Sequence, residues 1–470
     1  MPYKGEYASK ASHANIINNP DVQDFLANCD YLAPPSEEET AQQCSQFEEP
    51  PTLTDVWAPN HIIAVDGSPY EANVTNQLPS TKVGYIKVSS VLIDMTQYRG
   101  LRVERGRFVD PFRVARLREN SSPITLSLPS ANVRYKGSAS VRDGFRTALD
   151  AQLYDKRTRF KDDDPTTSLR TTLFHLAARR PLDRLGTGTP AKLKLHTCPS
   201  CEQGPVELAD VPYPQHCSKC GEQVYPSDCL RVWEAVSNYQ SNTEALNRVM
   251  SYVEHLLPIH YIRYLSEHSL QLLSSTAFFV DGPLAVFGNG AWLSGAIMRY
   301  LAELNQRLET NGLPRLLVIG LQKTGQVADY ISLVDRFIPR NRIYAIADDY
   351  RQKYIRAGID RPGFGFGDET YYGQDFIYKT PSGRTFVCAL PYPFESKRVP
   401  TEQDFVEAKV EIPRYVELPR ALALINEFEC DLYENAVVPV ALAHRYTAIS
   451  LTPGGQVLDL LSKRALKVKI

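Results

Sequence analysis

The sequence has almost no net charge. Its 52 Lys and Arg residues stand against 54 Asp and Glu, a formal −2, so bulk charge argues neither for nor against a polyanionic partner. It contains no run of about 18 uninterrupted apolar residues, which excludes a conventional membrane-spanning helix. It contains no GxxxxGKS or GxxxxGKT phosphate loop, so any ATP-driven motor has to come from another chain. The opening stretch, "MPYKGEYASKASHANIINNPDVQDFL", lacks the apolar h-region of a secretory leader, and a cytoplasmic location is expected. The nine cysteines are odd in number and accompany no export signal, which argues against a disulfide framework.

What is present is ordinary globular material. At 470 residues the chain is long enough for two to four domains or one elaborated domain with a sizeable core. Residues 1–55 read as an N-terminal arm or linker, since "APPSEEETAQQCSQFEEPPTLTD" is rich in Pro, Glu, Ser and Gln. From residue 56 onward, strand-like runs such as "HIIAVD", "TAFFVD", "PRLLVIGLQ", "RIYAIAD" and "RTFVCALP" are interleaved with amphipathic helical segments. That alternation predicts an α/β core whose sheet is at least partly parallel. A long helical region begins at residue 229, with Pro258 expected to kink or divide it. The stretch "RGLRVERGRFVDPFRVARLR" holds seven arginines, Arg105 and Arg107 among them, opposed only by Glu104 and Asp110. It is either a solvated, ion-paired surface or a set of phosphate contacts.

Two features carry chemistry by spacing. In residues 192–228, Cys198 and Cys201 form one CxxC pair and Cys217 and Cys220 another, fifteen residues apart. Two such knuckles close a tetrahedral Zn²⁺ site, and four thiolates leave no open position, so the zinc is structural. His196 and His216 are adjacent but superfluous as ligands.

The second feature is a repeated Val-Asp-Gly. "IIAVDG" delivers Asp66 and "AFFVDG" delivers Asp281, each at the expected end of a buried strand, where sites gather in α/β sheets. Two carboxylates brought together bind hard divalent cations such as Mn²⁺ or Mg²⁺. A third acid is expected from the helix before Asp281. If that helix ends near Ser274 and returns antiparallel to the strand, Glu267 comes level with Asp281 and Glu254 lies about 20 Å further back. This arithmetic favours Glu267 and leaves Glu254 open.

Taken in order, these segments resemble the NurA nuclease family, whose members partner HerA-type hexameric ATPases in DNA end processing. "AVDGS" at 64–68 is similar to the family's first acidic motif and "FFVDGPLAVFG" to its second. "LLVIGLQKTG" resembles the strand and lysine segment that follows, and "VPVALAHRYTAIS" the C-terminal Ala-His motif. The resemblance covers most of residues 55–460. It implies an RNase H-like mixed sheet flanked by helices, here with the zinc ribbon inserted, and a manganese- or magnesium-dependent deoxyribonuclease. It implies Asp66 and Asp281 as metal ligands and His444 as the catalytic histidine. It also implies a homodimer stacked on a HerA-like hexamer that feeds it DNA. Lys323 is positioned to reach a phosphate as a point charge, alongside Arg105 and Arg107. The chain then divides into the arm (1–55), a first part of the nuclease core (56–191), the ribbon (192–228) and a helical region with the second part of the core (229–470). The rival reading is a catalytically degenerate adaptor that docks DNA or an ATPase ring through its ribbon and arm. A third is an RNase or transposase-like enzyme using the same carboxylate chemistry.

Overall fold

A computed structural model of the protein describes residues 14–29, 34–53, 58–74, 80–100, 121–356, 366–398, 402–429, 437–449 and 454–467. The architecture is built on one large mixed sheet. Strands β1 (His61–Asn73), β2 (Lys82–Asp94) and β3 (Ser121–Pro129) form an antiparallel run. Four short strands follow, β4 (Lys192–Leu195) paired with β5 (Val206–Ala209), and β6 (Gln215–His216) with β7 (Gln223–Val224). The chain then returns to the large sheet as β8 (Thr276–Asp281), β9 (Leu317–Gln322), β10 (Arg342–Ala345), β11 (Gly373–Lys379) and β12 (Thr385–Pro391).

The strand order is β10-β11-β12-β9-β8-β1-β2-β3. β8 lies parallel to β1, and β9 parallel to β8. The sub-order β3-β2-β1-β8-β9 is therefore three antiparallel strands followed by two parallel ones, the arrangement of an RNase H-like core. Beyond it β12, β11 and β10 extend the sheet antiparallel.

Helices cover both faces. On one side lie α1 (Val141–Leu153), α2 (Leu169–Ala177), α3 (Thr243–His268) and α4 (Trp292–Thr310), sharing a core with Val65, Val88, Phe278 and Val280. On the other side, α5 (Leu418–Phe428) and α6 (Val438–Thr447) cover Ile62, Ala64, Phe279 and Ile319. Alternate residues of β1 and β8 thus enter opposite cores, as the two-residue strand period requires. A last helix, α7 (Gly454–Lys467), reaches back to β1, where Asp459 accepts the Asn73 backbone N–H at 3.2 Å. None of the described helices is long and apolar enough to cross a membrane.

Several expectations need correction. β1 does not end at Asp66. It continues to Asn73, paired throughout with β2, while its parallel pairing with β8 stops at Val65. Pro258 does not divide the long helix, which runs unbroken from Thr243 to His268. The proline's missing N–H leaves the carbonyl four residues earlier, that of Glu254, without its helical donor. β11 was invisible because "GQDFIYK" mixes polar and apolar residues. Its Asp375 is nonetheless buried, held by Arg351 at 2.8 Å and Gln322 at 2.8 Å. The arm's acidic side chains are exposed, but part of the arm is ordered against the sheet. Glu37–Cys44 is a helix with a Ser36/Glu39 capping box, and Cys44 and Phe47 bury themselves near β10. Glu48 bridges Ile343 and covers that sheet edge.

Candidate metal centre

The register of β1 against β8 assembles the site. Val65 pairs with Val280, so the next residues, Asp66 and Asp281, stand side by side where the two strands part. Both side chains leave on the face opposite Val65 and Val280, toward α6. There Pro439 sits in the first turn, and Val440, Leu442 and Ala443 pack the helix down. Its His444 Nδ1 lies 3.1 Å from Asp66 Oδ2, and Thr447 Oγ1 donates to the same oxygen. One oxygen from each aspartate and a ring nitrogen of His444 lie within 4.8 Å of one another. Asp66 is buried, whereas the His444 side chain is 56% exposed, so the cluster opens to solvent on the histidine side. Lys323, just past β9, donates to Asp281 Oδ2 at 2.8 Å.

A further carboxylate approaches from the other face of the sheet, outside the Asp66–Asp281–His444 group. Glu254, on α3, is buried and accepts the backbone N–H of Gly67. Burial first, then the nearby Asp66 and Asp281 charges, push its carboxyl well above the usual range. Burial also raises Asp281 to about 6, with Lys323 pulling down and Asp66 pushing up. Three carboxylates therefore share one lysine, a shortage of positive charge that a divalent cation would relieve. Carboxylate oxygens are a donor set for Mn²⁺ or Mg²⁺, so the residues fit the metal expected of them.

Glu267 is not at this site. Its side chain is 48% exposed and faces Arg263 at 3.9 Å. The helix ends at His268, and a separate short helix, Leu270–Ser274, intervenes before β8. Counting back the length of β8 from His268, about 16 Å or eleven residues, reaches within about a turn of Glu254.

α3 is held at this level by contacts at its start and beside Glu254. Near its start, Glu71 on β1 accepts from Asn242 N at 2.7 Å and from the Ser241 hydroxyl, placing a negative charge at the helix N-terminus. Two residues before Glu254, the Tyr252 hydroxyl donates to Phe287 O and accepts from Gly290 N, each at 3.0 Å. That ties the helix to the loop that leaves Asp281. Thr447 was not anticipated from sequence. Its signal was the three-residue spacing from His444, which puts both on one helix face. Arg105 and Arg107 lie outside the described residues, and Arg99 from the same cluster is paired with Glu427 at 2.8 Å.

The four ribbon cysteines also converge. Cys198 Sγ lies 3.8 Å from Cys220 Sγ, and Cys201 Sγ 3.8 Å from Cys217 Sγ. That is the edge of a tetrahedron with metal–sulfur bonds of about 2.3 Å. Each CxxC closes the same way. Cys198 N donates to Gln203 O and Glu202 N returns to Cys198 O. Cys217 N donates to Glu222 O and Gly221 N returns to Cys217 O. Backbone N–H groups of Cys220 and Lys219 draw the Cys217 thiol down to about 7. The set fits structural zinc.

Residues 61–449 match the NurA domain. The chain belongs to the NurA family. The match opens on the first residue of β1 and closes just past Thr447, so both aspartates, Glu254 and His444 fall inside it. NurA proteins are nucleases that act on DNA and work with HerA-type ATPases. No curated protein matches the chain.

Proposed function

We propose that this chain is a manganese- or magnesium-dependent deoxyribonuclease that hydrolyses phosphodiester bonds, working with a HerA-type ATPase in DNA end processing, repair or phage defence. The observation that carries the reading is the pairing of Val65 with Val280, which sets Asp66 beside Asp281 within reach of His444. Asp66 and Asp281 hold the cation, with Glu254 as the third acid. When bound, the cation supplies Lewis acidity at the phosphoryl oxygens and neutralises developing charge. Thr447 and His444 fix Asp66 through its Oδ2. With Nδ1 turned to Asp66, His444 presents Nε2 to the phosphodiester on the open side of the site. Lys323 offsets the Asp281 charge and stands by for a phosphate oxygen, with Arg105 and Arg107 as further phosphate contacts. The ribbon zinc is structural. We assign residues 1–55 as the arm, 56–191 and 229–470 as the two parts of the nuclease unit, and 192–228 as the ribbon. A homodimer seated on the ATPase ring is the assembly this reading favours.

The test is cleavage of single- and double-stranded DNA by zinc-loaded protein with added Mn²⁺ or Mg²⁺. Asp66→Ala and Asp281→Ala should each reduce the rate on the order of a hundredfold or more, the loss of several kcal/mol of charge stabilisation. Glu254→Gln should also lose activity, and Glu267→Gln should match wild type. Equal cleavage by wild type and both aspartate variants would end the nuclease reading. Binding of zinc alone in a metal titration would favour the adaptor.

A further inference from the structure

Two hollows flank Trp292 at the start of α4. One, of about 270 Å³, lies between the ribbon residues Lys194 and His196, the end of the helical region at Arg180, and Asn289 and Trp292. The other, of about 390 Å³, lies on the far side of Arg180 and Trp292. The Arg180 guanidinium sits over the Trp292 ring at 4.7 Å and forms the wall they share. The segment that leaves Asp281 runs into this wall within eleven residues.

The charges in the two hollows differ. The larger one mixes Arg184, Arg299 and Lys397 with Asp183, Asp368 and Glu395. In the smaller one the only carboxylate is Asp228, which is buried and already bonded to Arg146 at 2.7 and 2.8 Å. Glu207 stands opposite Lys194 across the β4–β5 pair, but its close ion pair is with Lys192 at 2.5 Å. Arg180 is half-buried, and burial holds its guanidinium below the usual range, with the neighbouring Cys229 pulling the other way.

We infer that the smaller hollow is an anchor for one nucleotide of a single-stranded DNA segment, with its phosphate between Arg180 and Lys194 beside the Arg180–Trp292 stack. Two cations converging beside an aromatic ring are the elements of sequence-tolerant strand binding. A concave site of this size admits a single splayed nucleotide, whereas a duplex presents its phosphates on a convex surface. The choice of DNA rests on the nuclease reading; the site does not use Asp66, Asp281 or His444. It gives the ribbon a function beyond bracing the fold, because Lys194 and His196 come from the strand and turn that lead into Cys198.

The experiment is fluorescence anisotropy of a labelled single-stranded oligonucleotide and of a blunt duplex, over a salt series, with zinc-loaded protein and no added divalent metal. Binding rather than cleavage is read, so a chain that failed the nuclease test would still give an answer here. Arg180→Gln with Lys194→Gln should weaken single-strand binding about fivefold or more. The log–log salt slope should fall by about 0.7, for the one phosphate the two cations neutralise together. Lys194→Gln alone should give about half that change in slope. Unchanged affinity and slope in variants that keep their zinc and melting temperature would overturn the proposal. So would equal loss on the blunt duplex, or a change confined to inorganic phosphate binding.

Discussion

A Cβ at Gly67 would stand 2.7 Å from Met250 Cγ and 2.8 Å from Glu254 Oε1. The position has ordinary strand geometry, so its glycine is there for space: Glu254 occupies the room a side chain would take, against the Gly67 N–H. Gly282 differs. Its φ is +104° and nothing lies within 4 Å of an added Cβ, so its glycine is there for the turn. The same Val-Asp-Gly therefore serves two needs. Gly67→Ala should cost about 1–3 kcal/mol through overpacking and also weaken divalent-cation affinity by displacing Glu254. Gly282→Ala should cost about 1 kcal/mol through backbone strain with Glu254 undisturbed. Denaturant melts with and without Mn²⁺ separate the two. Equal cation affinity in Gly67→Ala and wild type would refute the role given to the gap. At this scale the aspartates and His444 were legible from their flanking residues. Glu254 was not, because choosing between two glutamates on one helix required knowing where that helix stops.

The element that decides the site is α3, and its seam with α2 is built on neutral histidine. His260 Nδ1 lies 2.9 Å from Thr172 Oγ1 and its Nε2 lies 3.0 Å from Thr158 O, with Phe160 stacked on the ring at 4.3 Å. Burial drives its pKa down to about 3, and that of His255, bonded to Tyr372, to about 4. The folded state keeps these rings neutral while the unfolded chain takes up protons near pH 6.5, so their stability contribution is complete above that pH. It is lost as pH falls from about 6.5 toward the folded values. Asp281 and Glu254, with raised values, act in the opposite sense, so the difference between wild type and a variant is the informative quantity. His260→Leu should lessen the decline of stability between pH 6 and 4 by about one proton, about 1.4 kcal/mol per pH unit. Chemical denaturation at several pH values checks it, and parallel profiles would contradict it. The 3.6-residue pattern of this helix was readable in the sequence. That Pro258 would be accommodated was not, because packing on both sides holds the turn it weakens.

Across the whole molecule the ribbon is not an appendage. Leu193, Leu195, Val206, Leu208 and two of the four cysteines belong to the same apolar core as Val65, Phe278 and Val280. Removing its metal should therefore destabilise the nuclease unit and not only the ribbon. Cys198→Ser with Cys217→Ser, or chelation, should lower the melting temperature of the main cooperative transition by an amount reflecting several kcal/mol. Zinc content and calorimetry on the same sample check this. Loss of zinc with an unshifted main transition would show the ribbon to be thermodynamically separate. The double role of the sheet, with α3 on one face and α6 on the other, also explains why the site draws on residues almost four hundred positions apart. Asp66 and His444 meet because α6 closes the second core over β1.

By itself the sequence determined the α/β class, the four-thiolate ribbon and the family. Each rests on local pattern: hydrophobic period, cysteine spacing and the order of short motifs. The spacing of the cysteines alone nearly fixes their geometry, because each knuckle is closed by its own backbone hydrogen bonds. Only the tertiary structure decided which carboxylates come together. Asp66 and Asp281 were set level by a strand register and Glu254 by the stop of a helix at His268. Thr447 was placed by the packing of α6, and Gly67 by a contact across the sheet. Register and helix ends depend on long-range packing, and a one-residue slip in either would move the whole set to another face.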